Sequence, residues 1–218
     1  MKPPSTKDRI LDAAEELFAS QGYDATSLRG LTQAAEVNLA AVNYHFGSKR
    51  KLFQAVFERR VGPINRERLA LLEAREDRGP EPPSVEELLQ ILIGPALRLR
   101  AGGGQGSRRF LELMGRMNSA RGEHAQAVQD VFAEVHARFF PAFQRALPDL
   151  SPAELIWRLH FLVGAMCTLL ADPHRFRVAS EGLCDPDDPD EALRQLVAFG
   201  AAGLRAPTAS ERATERSA

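Results

Sequence analysis

The sequence predicts an all-α protein in two parts: a small N-terminal head of three helices in a helix-turn-helix arrangement, and a larger helical body. Three observations predict it. Apolar residues recur at three- and four-residue spacing along most of the 218 residues, the period of one helix face. Capping side chains stand where these runs begin, and Gly or Pro where many of them end. No stretch shows the two-residue alternation of a half-buried strand, and there is no internal repeat.

The elements follow in order. Ile10, Ala13, Ala14, Leu17 and Phe18 share one helix face, with Ser5 and Thr6 as cap candidates and Gly22 beyond the end. A short helix runs from about Leu28 to Ala35, capped by Thr26 or Ser27. Another runs from about Leu39 to His45, capped by Asn38. A fourth begins after Ser48 and turns Leu52, Phe53, Val56 and Phe57 inward. Gly62-Pro63 is expected to break or kink it, and a helix to about Ala74 follows. EDRGPEPPS reads as a loop. Ser84 and Glu87 form a capping box for a helix to about Arg100, interrupted at Gly94-Pro95.

AGGGQGS reads as a flexible loop. It is not a phosphate cradle, because no strand precedes it and no Gly-Lys-Ser/Thr ends it. Helices are expected at about 107–119, 123–146 (with Pro141 inside) and 152–171, the last ended by Asp172-Pro173. DPDDPD caps a final helix at about 190–204. The polar tail from Pro207 is expected to be disordered.

Composition narrows the classes. A hydrophobic share of 44% and a charged share of 26% are those of an ordinary globular protein. Two cysteines are too few for a secreted disulfide scaffold, so a reducing cytoplasm is expected. Neither has metal-type spacing with His, and no metal or cofactor is expected. No apolar run is long enough to span a bilayer, so no membrane partner is expected. Net charge is -1 overall, but residues 1–60 hold nine Lys/Arg against seven Asp/Glu, which makes the head mildly basic and the remainder acidic.

Residues 26–49, TSLRGLTQAAEVNLAAVNYHFGSK, carry the functional signal. At 100° per residue, Leu39, Val42 and Phe46 fall on one side of the third helix, where Val42 and Phe46 face Leu28, Leu31 and Ala34 of the second. Ala40, Ala41, Asn43 and Tyr44 face outward. Small residues permit close approach to base edges, and Asn43 suits an adenine edge. Tyr44, His45 and Lys49 suit phosphate oxygens, Lys49 at a helix start where free N–H groups also favour an anion. Ser27 and Arg29 are further candidates; Ser27 is equally an N-cap and Arg29 equally a surface ion-pair residue. Asn38 and Leu39 open the reading helix and complete the set.

ILDAAEELFASQGYDATSLRGLTQAAEVN, then Val42, Tyr44-His45-Phe46, Ser48-Lys49 and Leu52-Phe53, resemble the DNA-binding domain of the TetR family of transcriptional regulators. One residue departs: Glu36 stands where the family usually has Gly. If that corner needs a positive φ, Glu costs about 1 kcal/mol there. The resemblance implies a homodimer, most often a repressor, whose heads (residues 1–60) read successive major grooves of a partly palindromic operator. It also implies a ligand-binding and dimerisation domain (61–206) that holds a small-molecule effector, with 207–218 as a tail.

VNLAAVNYHFGSK, RRVGPINRERLALLE, RFLELMGRM and LPDLSPAELIWRLHFLVGAM are similar to the PsrA-like branch of the family, which implies a fatty acid, an acyl thioester or another hydrophobic molecule as effector. Candidate pocket residues are Leu113, Met114, Arg116, Met117, Trp157, His160, Phe161, Gly164 and Met166; ordinary core is the competing reading for the apolar ones. Leu162, Ala165, Leu169, Leu193, Leu196, Val197 and Gly200, with the small Ala201 and Ala202, are candidates for a dimer interface, or for intramolecular core. Two other classes remain open: a helical protein-binding adaptor, and an enzyme that uses the body pocket, although no GxSxG, HExxH or Cys-His motif supports catalysis.

Overall fold

Local cap chemistry decides where the helices begin. The computed structural model describes residues 3–102, 104, 106, 107, 110, 111 and 123–207, and among these every regular element is helical. The expected tail beyond residue 207, and residues 108, 109 and 112–119 of the expected 107–119 helix, lie outside the described residues.

α1 (Thr6–Gln21) opens on a capping box between Ser5 and Asp8 and ends at Gly22, φ 83°. α2 (Leu28–Ala34) and α3 (Leu39–Phe46) begin at Ser27 and Asn38, whose side chains accept from the Gly30 and Ala41 amides at 3.0 and 2.9 Å. α4 (Lys49–Glu76) begins at Ser48. The α2–α3 corner closes as a Schellman turn: the Val37 amide donates to the Thr32 carbonyl at 3.0 Å, the Glu36 amide to Gln33 at 3.3 Å. Glu36 is the left-handed residue of that turn, at φ 53°.

Ile10, Ala14, Phe18, Leu31, Val42, Phe46, Leu52, Phe53, Val56 and Phe57 form one buried cluster. The body completes it. Phe110 sets its ring edge-on to Phe57 at 5.1 Å, and Ala127 is buried in the same cluster. An ionic lock runs alongside. Glu15 of α1 is buried and held by both Arg59 and Arg60 of α4, and Asp12 pairs with Arg59 at 2.7 Å.

α5 (Val85–Gly102), α6 (Glu123–Ala146), α7 (Pro152–Ala171), α8 (Pro173–Ala179) and α9 (Pro189–Arg205) build the body with the second half of α4. Its core holds Leu72, Leu88, Leu89, Ile93, Phe139, Phe143, Leu155, Leu162, Leu196, Val197 and Leu204. Gly200 lets α9 approach α7 and α5: a Cβ there would stand 2.9 Å from Leu162 and 3.1 Å from Leu89.

Four expectations are corrected. α4 continues through Pro63, and α5 through Pro95. Each proline follows a glycine, which has no Cβ to clash with the ring, and buried neighbours (Val61 and Ile64; Ile93, Ala96 and Leu97) hold the helix on both sides. The expected loop at 101–107 is helical at 101, 102, 104, 106 and 107. Ser107 is buried, and Gly106 lies so close to the Arg60 guanidinium that a Cβ would stand 2.6 Å from it. Finally, Asp172 ends α7 and also caps an unforeseen α8 by accepting from the Arg175 amide at 2.9 Å.

The strain at the corner is testable. Glu36→Gly is expected to raise unfolding stability by about 0.5–1 kcal/mol, since glycine adopts the left-handed conformation without a Cβ clash but loses more entropy on folding. Urea titration of the two chains checks it; a less stable variant would contradict the strain.

Candidate nucleic-acid interface

α3 has one face fastened to the head and one face free. Val42 and Phe46 are buried against Leu31 and the α4 phenylalanines, so the opposite face stands out from the head. Its eight residues span about 12 Å, and the major groove is about 12 Å wide.

Tyr44 is 86% exposed, and Ala40, Asn43 and His45 are exposed beside it. The Tyr44 ring stands edge-on to His45 at 5.1 Å. Leu39 is half exposed, on neither the fastened nor the free side. Ala41 is corrected: it is partly buried against the head core and does not face outward. Ala34 is likewise exposed, and Ala35 takes its expected place in the core. Both shifts are one position on the wheel, within the error of an ideal 100° step applied to short helices.

Ser27 and Asn38 serve as caps through their oxygens, which leaves the Ser27 hydroxyl hydrogen and the Asn38 amide N–H groups to donate outward. Arg29 is exposed. Lys49 sits at the first turn of α4 with its ammonium 4.3 Å from the Tyr23 ring centre. Burial pushes its pKa below the ordinary lysine value, and Asp24 opposes the shift. Tyr23 was missed in the sequence. It is the platform that stations Lys49 beside α3, and its stacking on Phe18 and edge contact with Phe53 fix it. Of the other basic residues here, Arg50 pairs with Asp130 of α6 at 3.5 Å, and Lys51 is exposed.

The body candidates divide differently. Leu113, Met114, Arg116 and Met117 lie outside the described residues. Trp157 and Phe161 do not line an enclosed pocket: they are 62% and 61% exposed, and His160 is exposed between them. Gly164 and Met166 are partly buried. The expected interface residues Leu162, Leu196, Val197, Gly200 and Ala201 are instead buried in the chain's own core, with Ala165, Leu169 and Leu193 partly buried against it. The large apolar side chains left outside on these two helices are Ile156, Trp157, Phe161 and Val163 of α7 and Phe199 of α9, with Ala202 also exposed. α7 is apolar around most of its circumference, so periodicity could not tell its inner face from its outer one.

α7 is, against expectation, long and apolar enough to cross a membrane by length and composition. Its Leu155, Leu162 and Leu170 are nevertheless in the body core, and Arg158 donates to the carbonyls of Gly203, Leu204 and Ala206 at the end of α9. A groove of about 470 Å³ opens on the head, between Arg9, Asp12 and Glu16 of α1 and the end of α2. Among the described residues no three His, Cys, Asp or Glu side chains gather as a metal site, and both cysteines are free thiols.

Comparison with known proteins agrees with this layout. Residues 10–56 match the family described as bacterial regulatory proteins, tetR family, and residues 90–203 match the tetracyclin repressor-like C-terminal domain. The HTH-type transcriptional repressor AcnR of Corynebacterium efficiens is 38% identical over 55 residues, covering 25% of this chain and 29% of that protein. The chain thus covers less than a third of such curated relatives. The fatty acid degradation regulator FadR of Bacillus halodurans superposes with a TM-score of 0.63 at 16% identity, covering 95% of this chain and all of that one. A FadR of Bacillus subtilis, crystallised with stearoyl-CoA, superposes at 0.62 and 14% identity, covering 89% of this chain and 97% of that one. At these identities the structures show a shared fold.

Asn38→Ala is expected to lower stability by about 1 kcal/mol through loss of the α3 cap, and Asn38→Ser to restore most of it. Thermal unfolding of the full chain checks this; an unchanged alanine variant would remove Asn38 from the anchoring of α3.

Proposed function

The chain belongs to the TetR family of bacterial regulatory proteins, and on that premise we propose that it is a ligand-responsive transcriptional regulator, acting in the cytoplasm as a repressor. Residues 1–60 form the DNA-reading head, 61–206 the effector-binding and dimerisation body, and 207–218 a tail. The observation that carries the reading is α3: a helix of groove-fitting length, fastened by Val42 and Phe46, presents Ala40, Asn43, Tyr44 and His45 to the outside. Asn43 reads a base edge. Tyr44, His45, Lys49, Ser27, Asn38 and Arg29 contact the phosphate backbone, and Leu39 and Ala40 line the groove.

The regulator acts as a homodimer on a palindromic operator. Ile156, Trp157, Phe161 and Phe199 are exposed apolar side chains on two helices in contact with each other, and a second copy would cover them in a four-helix contact. Two heads then meet half-sites one helical turn, or a multiple of it, apart. The effector is a hydrophobic molecule of the acyl class, as the PsrA-like resemblance implies; the stearoyl-CoA found in the Bacillus subtilis neighbour supports that class. It releases DNA by binding the non-reading state of the dimer more tightly, since equal affinity for both states shifts nothing.

Tyr44→Phe is expected to weaken binding several-fold across all duplexes at fixed salt, as a lost phosphate contact does. Asn43→Ala should instead change which duplexes are enriched from random sequence, by about 1–3 kcal/mol of discrimination at one position. Fluorescence anisotropy and sequence selection read the two effects; normal affinity in the first and an unchanged motif in the second would refute the assignment. Trp157→Asp combined with Phe199→Asp is expected to sediment as a monomer, and a surviving dimer would move the interface elsewhere.

A further inference from the structure

Arg68 of α4 is buried in the body, only 4% exposed. It lies on the apolar side of its helix, four residues after Ile64 and four before Leu72. Its Nε donates to the Leu92 carbonyl of α5 at 2.7 Å, and its Nη1 to the Asn65 Oδ1 at 3.0 Å. Asn65 is itself committed, donating through Nδ2 to the Val131 carbonyl of α6 at 2.9 Å. Three of the five N–H groups of the guanidinium thus have no partner among the described residues.

No carboxylate among the described residues forms an ion pair with Arg68, and Glu67 favours its charge only from a distance. Glu67, next in sequence, is turned to Arg98 at 2.6 Å. The buried Cys167 thiol is held above its ordinary value by burial, so it is neutral near pH 7. Burial draws Arg68 down to about 10, still cationic. A buried cation whose hydrogen-bond partners among the described residues are all neutral is costly, and a structural tie between α4 and α5 needs a donor but not a charge.

We propose that Arg68, with Asn65 holding it in place, is the receptor for the carboxylate of an anionic acyl effector in the body of the regulator. The N–H groups of the fork that lack a partner among the described residues suit a carboxylate, and a full charge in a buried site discriminates an acid from its neutral analogue. This rests on the acyl-effector reading above and assigns the residue that recognises the head group.

The test is calorimetric titration of the full chain with decanoate and with decan-1-ol, which share a tail and differ in charge. Wild type is expected to bind decanoate at least tenfold more tightly than the alcohol. Arg68→Gln should lose that preference while keeping alcohol affinity and ligand-free DNA binding. Arg68→Lys, which keeps the charge and loses the fork, should show a reduced preference. Equal binding of both probes by wild type, or an undiminished preference in either variant, overturns the role of Arg68 and leaves the acyl reading standing. Binding of neither probe overturns the acyl reading and the assignment with it.

Discussion

A single unbroken helix belongs to two cores. The first half of α4 places Leu52, Phe53, Val56 and Phe57 in the head cluster, and its second half places Leu72 in the body cluster. The seam is reinforced from both sides. Glu15 is buried between Arg59 and Arg60, Phe110 closes on Phe57, and Gly106 fits under Arg60. Removing one partner of a buried ionic lock costs about 3–5 kcal/mol, because the remaining charge is left uncompensated. The position of α3 in space therefore depends on where the body holds α4.

That arrangement gives the proposed regulation a physical route. Arg68 lies two and a half turns along α4 from the Glu15 lock, on the same continuous helix. A ligand that draws on Arg68 acts on the element that carries the head. Stiff helices transmit such displacements well, while an interrupted helix would absorb them, so the proposed regulation draws on the continuity through Gly62-Pro63.

Much of the fold was legible because it is local chemistry. Ser5, Ser27, Asn38, Ser48 and Asp188 cap helices where the sequence put caps, since a cap needs only a side-chain oxygen and an amide two or three residues on. The fastened face of α3 was legible for Val42 and Phe46. What was not legible depends on distant partners. Pro63 read as a break or kink and Pro95 as an interruption, yet burial on either side keeps their helices continuous. Leu162 and Trp157 exchanged their expected places because α7 is apolar on all sides. Tyr23 and Arg68 were overlooked for opposite reasons: the one looks like ordinary core, and the other carries a charge that usually means surface. The one signal that could have found Arg68 is its spacing, midway between Ile64 and Leu72 on one face.

The central claim is that α3 enters a DNA groove while α4 holds it there. Amide hydrogen exchange on the full chain, with and without a duplex enriched from random sequence, tests it most directly. DNA-dependent protection is expected at residues 27–30 and 38–49, with the exposed face of α7 unchanged. Protection confined to the body, or none at all in the presence of saturating duplex, would contradict it.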